Sequence, residues 1–394
     1  MTLNSVTMNL PTYPMEALAK IRQNLQEDGT KVFDFGTGDP RIPTWSAIRD
    51  AMSQSIPEVS QYPSINGSKE LRDSIWGYCQ RRFGISENEH LDMVPTNGSK
   101  EAVFHIALSL VGRAGGRKHI VYPNPGYPVY KSSIQFAGGI PYPVDLKASD
   151  SYMFKPWELP EEVQKDTAAV WINYPHNPTG ATIDPESLQK IIKWCQDNDV
   201  ILLSDDCYTD IYHASWDEGG ERPIHPLNYS SKNILSFMSL SKRSGLTGYR
   251  SGFILGDKNL VKFVRKARAN FGVATPLPIQ AAASVAWQDD EHVVERRKTF
   301  TERLDYCFTR LNKLGLIHER PKAGFYLWCP LPEGEDDIEF CLALAEKGVI
   351  TSPSQWLSEG IKGYMRLAMV PQMKDIETAM DIIEEFYKTR YKES

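Results

Sequence analysis

The chain has 394 residues, a net charge of −6, 41% hydrophobic and 24% charged residues. That length exceeds one small core and suggests two or three domains, while the acidic balance without a basic run argues against nucleic-acid binding by phosphate neutralisation. No stretch approaches the ~18 apolar residues of a membrane span, and the start has neither the positive nor the apolar region of a signal peptide, so a cytoplasmic protein is expected.

The six cysteines form no C-x-x-C pair and no zinc-like spacing, which reads as reduced thiols and no metal. Residues 14–27 predict an amphipathic helix, with Met15, Leu18, Ile21 and Leu25 on one face and Pro14 in the first turn. Lys31–Phe35 predicts a short strand that runs into Gly36-Thr-Gly-Asp-Pro40. Glycine there lets backbone approach a ligand closely, although the same motif is also a common turn. Tyr62 follows in a loop.

Met93 to Phe104 reads as a strand, a glycine turn and a helix. This sets Gly98, Ser99 and Lys100 at a helix N-terminus, where free N–H groups and the dipole favour an anion. An ordinary cap by Asn97 or Ser99 is the other reading. His119–Tyr122 is a strand ending near Tyr127, and Ala168–Asn173 is a buried-type strand running into Tyr174-Pro-His-Asn-Pro-Thr-Gly180. Glu186–Asp197 predicts a helix and Val200–Ser204 a strand with Asp205-Asp-Cys-Tyr208 at its end. A carboxylate three residues before a tyrosine, just past a strand, can address two atoms of one ring. Cys207 between them reads as a small hydrophobe.

Ile234–Met238 is a short apolar strand. Ser239-Leu-Ser-Lys242-Arg follows, and Arg250 stands eight residues beyond Lys242. Two serines and an arginine are anion-binding groups gathered around one amine. An amine held near a phosphate and kept partly dry is how a lysine is presented to the aldehyde of pyridoxal phosphate. Further on come a strand around Phe253, a helix over 262–270, strongly helical residues 277–313, a strand over 321–328, a strand over 363–369 carrying Arg366, and a final helix over 374–389. No repeat, low-complexity tract or linker stands out.

The run Ser-Leu-Ser-Lys-Arg-Ser…Gly-Tyr-Arg-Ser-Gly-Phe resembles the lysine segment of class I/II pyridoxal-phosphate aminotransferases of fold type I. More narrowly it is similar to bacterial succinyldiaminopimelate aminotransferases, as are Asn97–Phe104, Ser204–Tyr208, Gln280-Ala-Ala and Ala323–Trp328. The Asn177-Pro-Thr-Gly tetrapeptide is a second strong family signal. The resemblance covers essentially the whole chain and implies an α/β fold: a large domain over 41–280 with a mostly parallel sheet flanked by helices, and a smaller α/β domain over 281–394 joined by an N-terminal arm, 1–40. It also implies a homodimer with shared active sites.

Residue by residue, the resemblance makes Lys242 the covalent anchor and catalytic base. Asp205 becomes the partner of the pyridine nitrogen, while Tyr208 and Asn177 become partners of the phenolic oxygen. Tyr127 stacks on the ring. The phosphate falls to Gly98, Ser99, Lys100, Ser239, Ser241 and Arg250, with Tyr62 reaching the neighbouring subunit's cofactor. Gly38, Asn177, Asn270, Tyr13 and above all Arg366 fall on the substrate side. His176 stands where relatives more often carry Asn or Gly, and it reads as structural; so does Asp206. Ser352-Pro-Ser-Gln-Trp356 departs from the usual Pro-Gly-Ser of a loop bordering the substrate. The activity implied is amino transfer between glutamate and a keto acid, with succinyldiaminopimelate of lysine biosynthesis as the implied substrate. Aspartate aminotransferase or a β-eliminating lyase on the same fold are the alternatives. A regulator's sensing domain is set aside, because no basic helix-turn-helix segment is present.

Overall fold

The computed structural model describes residues 4–10, 14–112 and 116–391. Its strands are β1 (Phe33–Asp34), β2 (Leu91–Thr96), β3 (His119–Asn124), β4 (Ile140–Asp145), β5 (Thr167–Ile172), β6 (Ile201–Asp205), β7 (Ile234–Ser239), β8 (Gly252–Asp257), β9 (Tyr326–Pro330), β10 (Val349–Ile350), β11 (Ser352–Pro353) and β12 (Tyr364–Ala368). Seven of them form one sheet in the order β2-β8-β7-β6-β5-β3-β4. Only the pairs made by β8 are antiparallel, so the other six strands run one way.

The apolar strand runs explain why this sheet is buried on both faces. Successive side chains alternate across it: Val170 and Ile172 enter one core, whereas Ala169 and Trp171 enter the other. Helices Ser46–Gln54, Lys69–Phe83, Pro185–Asp197 and Leu277–Gln288 cover the first face. Helices Ser99–Leu110, Val129–Phe136 and Lys258–Arg268 cover the second.

A third core surrounds the three-stranded sheet β11-β12-β9, covered by helices Glu291–Lys313, Asp337–Glu346 and Met373–Tyr391. The N-terminal residues join this part, since β1 pairs with β10 and Leu18 packs against Ala345 and Ile350. Two expectations are corrected here. The strand expected over Lys31–Phe35 is confined to Phe33–Asp34, because only β10, itself two residues long, is there to pair with it. The helical stretch 277–313 is two helices, broken at Asp289–Asp290, where the Asp289 carboxylate turns back to accept from the His292 amide at 3.0 Å. Among the described residues, no helix is long and apolar enough to cross a membrane.

Candidate active site

Because six strands share a direction, the loops leaving their C-terminal ends lie along one edge of the sheet, where such folds bind ligands. Five of these loops carry the expected residues: 97–100 after β2, 124–127 after β3, 173–177 after β5, 205–208 at the end of β6 and 239–242 after β7.

Asp205 is only 5% exposed. Its Oδ2 accepts from the Tyr130 hydroxyl at 2.8 Å, and its Oδ1 faces the Cys207 amide at 3.4 Å. Among the described residues no lysine, arginine or histidine pairs with it within 4.0 Å, and burial raises its pKa above the usual carboxylate value. A buried, unpaired anion is costly, so this carboxylate is set to meet a cation. The loop is tied to its neighbour through Asn173, whose amide donates to the Asp205 carbonyl at 2.7 Å and accepts from the Asn177 amide at 2.9 Å.

The Tyr208 hydroxyl lies 3.0 Å from that of Tyr326, and burial pushes its pKa well above the ordinary phenol value. The Lys242 ammonium donates to the Gly38 carbonyl and sits 5.7 Å from the centre of the Phe325 ring. A Cβ on residue 38 would collide with the Tyr326 hydroxyl, so only glycine lets this backbone come so close. Gly38, Lys242, Tyr208 and Tyr326 thus form one cluster.

At the other end, Gly98 has φ +76° and opens helix Ser99–Leu110 without a side-chain cap. The alternative reading, an ordinary cap by Asn97 or Ser99, is not what forms, because both side chains are engaged elsewhere. Asn97 Oδ1 accepts from Thr275 at 2.8 Å, and Ser99 Oγ accepts from the Cys207 thiol at 3.0 Å. The first-turn N–H groups are therefore left for an anion. A Cβ on Gly98 would lie 2.7 Å from the Arg250 guanidinium, which brings that arginine over the same helix start. Ser239 Oγ donates to Ser241 Oγ at 3.0 Å. Lys100, Tyr127 and Arg250 line a cavity of about 870 Å³, with Trp356 on its wall.

Arg366 is buried on β12. It donates to Asn177 Oδ1 at 3.2 Å and to the Gly36 carbonyl at 2.8 Å, and its guanidinium lies 4.5 Å from the Tyr326 ring centre. Its Nε has no hydrogen-bond partner, and among the described residues no carboxylate pairs with it. A guanidinium held only by neutral acceptors is prepared for a carboxylate fork.

These observations test the cofactor. Pyridoxal phosphate needs an amine, an anion for its ring nitrogen, donors for its phenolic oxygen and an anion cradle for its phosphate. Lys242, the unpaired Asp205, Tyr208 with Asn177, and the Gly98–Arg250 helix start supply groups of each kind, so the residues fit.

Two expected residues are not brought into this cluster. Tyr62 is fully exposed to solvent. Asn270 lies beyond helix Lys258–Arg268, exposed, with its amide donating to the Lys266 carbonyl at 3.1 Å. The chain leaves the helix through a turn that reaches Gly272 at φ +69°, with Arg268 gripping Glu101 at 2.7 and 2.9 Å and Asn270 facing water. Tyr13 lies outside the described residues. His176 is buried between Thr179 Oγ1 at 2.8 Å and the Pro125 carbonyl at 3.1 Å, and burial lowers its pKa to about 4, so it is a neutral packing residue. Asp206 is likewise buried, between Ser204 at 2.8 Å and Ser236 at 2.5 Å, and burial raises its pKa to about 8.

Sequence reading missed Tyr130, Tyr326, Asn173 and Asp210. The buried Asp210 accepts from Tyr78 at 2.8 Å, Arg82 at 2.8 Å and Arg243 at 2.9 Å. It thereby ties the loop carrying Tyr208 to the residue beside Lys242. The one available signal was spacing: Tyr127 and Tyr130 are three apart, neighbours on a helical turn.

The family model for aminotransferase class I and II matches residues 30–383. The LL-diaminopimelate aminotransferase of Aquifex aeolicus is 34% identical over 94% of this chain and 95% of its own length. LL-diaminopimelate aminotransferase 2 of Trichormus variabilis is 33% identical over 91% and 92%. Among solved structures, an aminotransferase from Neisseria meningitidis superposes with a TM-score of 0.87 at 29% identity, covering 98% of this chain and 100% of that one. The probable N-succinyldiaminopimelate aminotransferase of Thermus thermophilus gives 0.85 at 23% identity over 97% and 100%, a likeness that shows the fold alone.

Proposed function

Because the chain belongs to the class I and II aminotransferase family, whose members use pyridoxal phosphate, we propose that it moves an amino group between glutamate and a diaminopimelate-type dicarboxylic amino acid in lysine biosynthesis. The observation that carries this reading is the pairing of amine and clamp. Lys242 donates to the Gly38 carbonyl and Arg366 to the Gly36 carbonyl, so both face one three-residue loop. A substrate whose α-carboxylate meets Arg366 presents its α-carbon towards Lys242.

Pyridoxal phosphate supplies the aldehyde that takes up the amino group and the ring that draws electrons from the substrate carbon. Arg366 fixes the α-carboxylate by a fork and so orients the C–H bond that breaks. With the cofactor bound, the Lys242 amine would serve as the base that accepts that proton and later gives it back. Asp205 favours a protonated ring nitrogen beside it. Asn177 and Tyr208 hold the phenolic oxygen. Ser99, Lys100, Ser239, Ser241, Arg250 and the helix start at Gly98 would hold the phosphate, and Tyr127 would stack on the ring. Asn270 and Tyr13 keep only the substrate-side roles that the resemblance gives them.

The unsuccinylated substrate is preferred over the succinylated one implied by the motifs, because relatives 30–34% identical are named LL-diaminopimelate aminotransferases. Free thiols at all six cysteines agree with a reducing, cytoplasmic setting. A homodimer accounts for the fully exposed Tyr62, beside exposed Ile56 and Val59. The implied boundary at 280–281 moves past helix Leu277–Gln288, whose Ala282, Ala283 and Trp287 pack into the core of the larger sheet; the smaller domain takes the helix from Glu291 onward, together with β1. The test is a set of kcat/KM values for LL-diaminopimelate, its succinyl derivative, aspartate and aromatic amino acids. LL-diaminopimelate should lead by about tenfold, roughly 1.4 kcal/mol of transition-state binding. A lead of that size for any other substrate would overturn the substrate and leave the family untouched.

A further inference from the structure

The helix start that would take the cofactor phosphate carries an acid of its own. Glu101 is the acidic residue in the first turn of helix Ser99–Leu110, and it lines the same cavity as Lys100 and Arg250. A carboxylate in a first turn draws on the same dipole and the same free N–H groups as a bound anion. Uncompensated, Glu101 would compete with the phosphate for that helix start and repel it.

Two contacts divert it. Its Oε1 accepts from the Asn97 amide at 2.8 Å, one residue ahead of Gly98. Arg268, 1% exposed at the end of helix Lys258–Arg268, grips both carboxylate oxygens, with Nη2 on Oε1 at 2.7 Å and Nη1 on Oε2 at 2.9 Å. That is the forked, charge-assisted geometry of a strong pair. His105 Nδ1 lies 3.1 Å from Oε2. Burial works against the charge on Glu101, and the hydrogen bonds from His105 and Arg268 outweigh it, holding the pKa at about 2. Arg268 Nη2 also donates to the Pro95 carbonyl at 3.3 Å and the Val273 carbonyl at 3.2 Å, while Thr275 Oγ1 donates to Asn97 Oδ1 at 2.8 Å. The turn from Pro95 to Gly98 is therefore fixed by one guanidinium, the carboxylate it holds and one hydroxyl.

We infer that Arg268 is a positioning residue for the cofactor phosphate: it cancels the charge of Glu101 and keeps that carboxylate on the Asn97 amide, so that the first-turn N–H groups and Arg250 meet the phosphate without a rival. Arg268 acts through Glu101. The inference rests on the assignment of the phosphate to the helix start at Gly98.

The test measures binding by equilibrium dialysis, with no substrate present, for pyridoxal phosphate and for pyridoxal, which lacks the phosphate. Arg268→Gln should weaken pyridoxal phosphate by about tenfold or more, because a like charge then stands uncompensated beside the phosphate. Pyridoxal should stay within about threefold of its wild-type affinity. Adding Glu101→Gln removes the charge and keeps an acceptor for the Asn97 amide, so the double variant should recover pyridoxal phosphate to within about threefold of wild type. Glu101→Gln alone should bind pyridoxal phosphate at least as tightly as wild type, and it gives the reading if Arg268→Gln does not fold. Equal loss of both ligands in Arg268→Gln, or no recovery in the double variant, would make Arg268 a plain structural contact and overturn the inference. Weaker pyridoxal phosphate binding by Glu101→Gln alone would overturn it as well. Wild type that holds pyridoxal as tightly as pyridoxal phosphate would instead overturn the phosphate assignment, and the inference with it.

Discussion

Replacing Asp205 with Asn should strengthen the apo chain and cripple the holoenzyme, and the two effects have one cause. In the apo chain Asp205 is a buried carboxylate held by a tyrosine hydroxyl and an amide, with no ion-pair partner among the described residues. Burial raises its folded pKa above the unfolded value. The sign follows: below the unfolded value of about 3.9 the group costs no folding stability, and stability is lost as pH rises from there through the folded pKa. Asn keeps an acceptor for Tyr130 and carries no charge, so at pH 7 the apo variant should gain about 1–2 kcal/mol, typical of relieving a strained functional site. With the cofactor bound, the same change removes one charge-assisted hydrogen bond, worth about 1.5–3 kcal/mol. That predicts a half-reaction slowed by about 10- to 100-fold. Denaturant melts of the two apo proteins from pH 4 to 8 and single-turnover absorbance of the two holoenzymes provide the readings. The stability gap should widen with pH. An apo variant about 1 kcal/mol less stable than wild type, or a half-reaction within about threefold of it, would refute the reasoning, since about threefold is only ~0.6 kcal/mol.

Lys242→Ala should leave no pyridoxal covalently attached after borohydride reduction; retained label, located by peptide mass spectrometry, would assign the anchor elsewhere. Asp210→Asn should cost about 3–5 kcal/mol of stability, because it leaves the buried guanidinium of Arg243 and that of Arg82 without their shared carboxylate; denaturant melts check it, and a loss under about 1 kcal/mol, the scale of an exposed pair, would count against that network. Arg366→Lys should lower kcat/KM for every substrate, since an ammonium cannot reproduce the fork; a drop confined to one substrate would make Arg366 a side-chain reader instead. Mixing inactive Lys242→Ala chains with an inactive Tyr62→Ala variant should restore partial activity if sites are shared, and a monomer by sedimentation that keeps full activity would rule sharing out.

The buried strands were legible because apolar residues dominate Ala168–Asn173, Val200–Ser204 and Ile234–Met238, and a parallel sheet buried on both faces demands such runs. Lys242, Asp205 and Arg366 were legible as charges set at strand ends or inside an apolar strand, where a solvated role is expensive. The edge strand Ile140–Asp145 escaped notice because its Pro141 and Pro143 argue against a ladder, and prolines are tolerated only at an edge. Helix Lys69–Phe83 was hidden by a charge-rich sequence whose buried face emerges only from its packing on helix Leu277–Gln288. Tyr130 and Asp210 were invisible for a different reason. Their partners are 75 and 33 or more residues away, and no local pattern marks a residue whose task is to hold another. Asn270 shows the converse: a local match placed it at the substrate, while the turn after helix Lys258–Arg268 leaves it in water.

The central claim is that this chain transfers an amino group with Lys242 as the proton carrier. Its most direct test supplies LL-diaminopimelate labelled with heavy nitrogen on its α-amino groups, together with α-ketoglutarate, and follows the label by mass spectrometry in wild type and Lys242→Ala. The account predicts heavy glutamate from wild type, at the rate the diaminopimelate is consumed, and none from the variant. Release of the label as ammonia, or heavy glutamate formed equally well without Lys242, would contradict it.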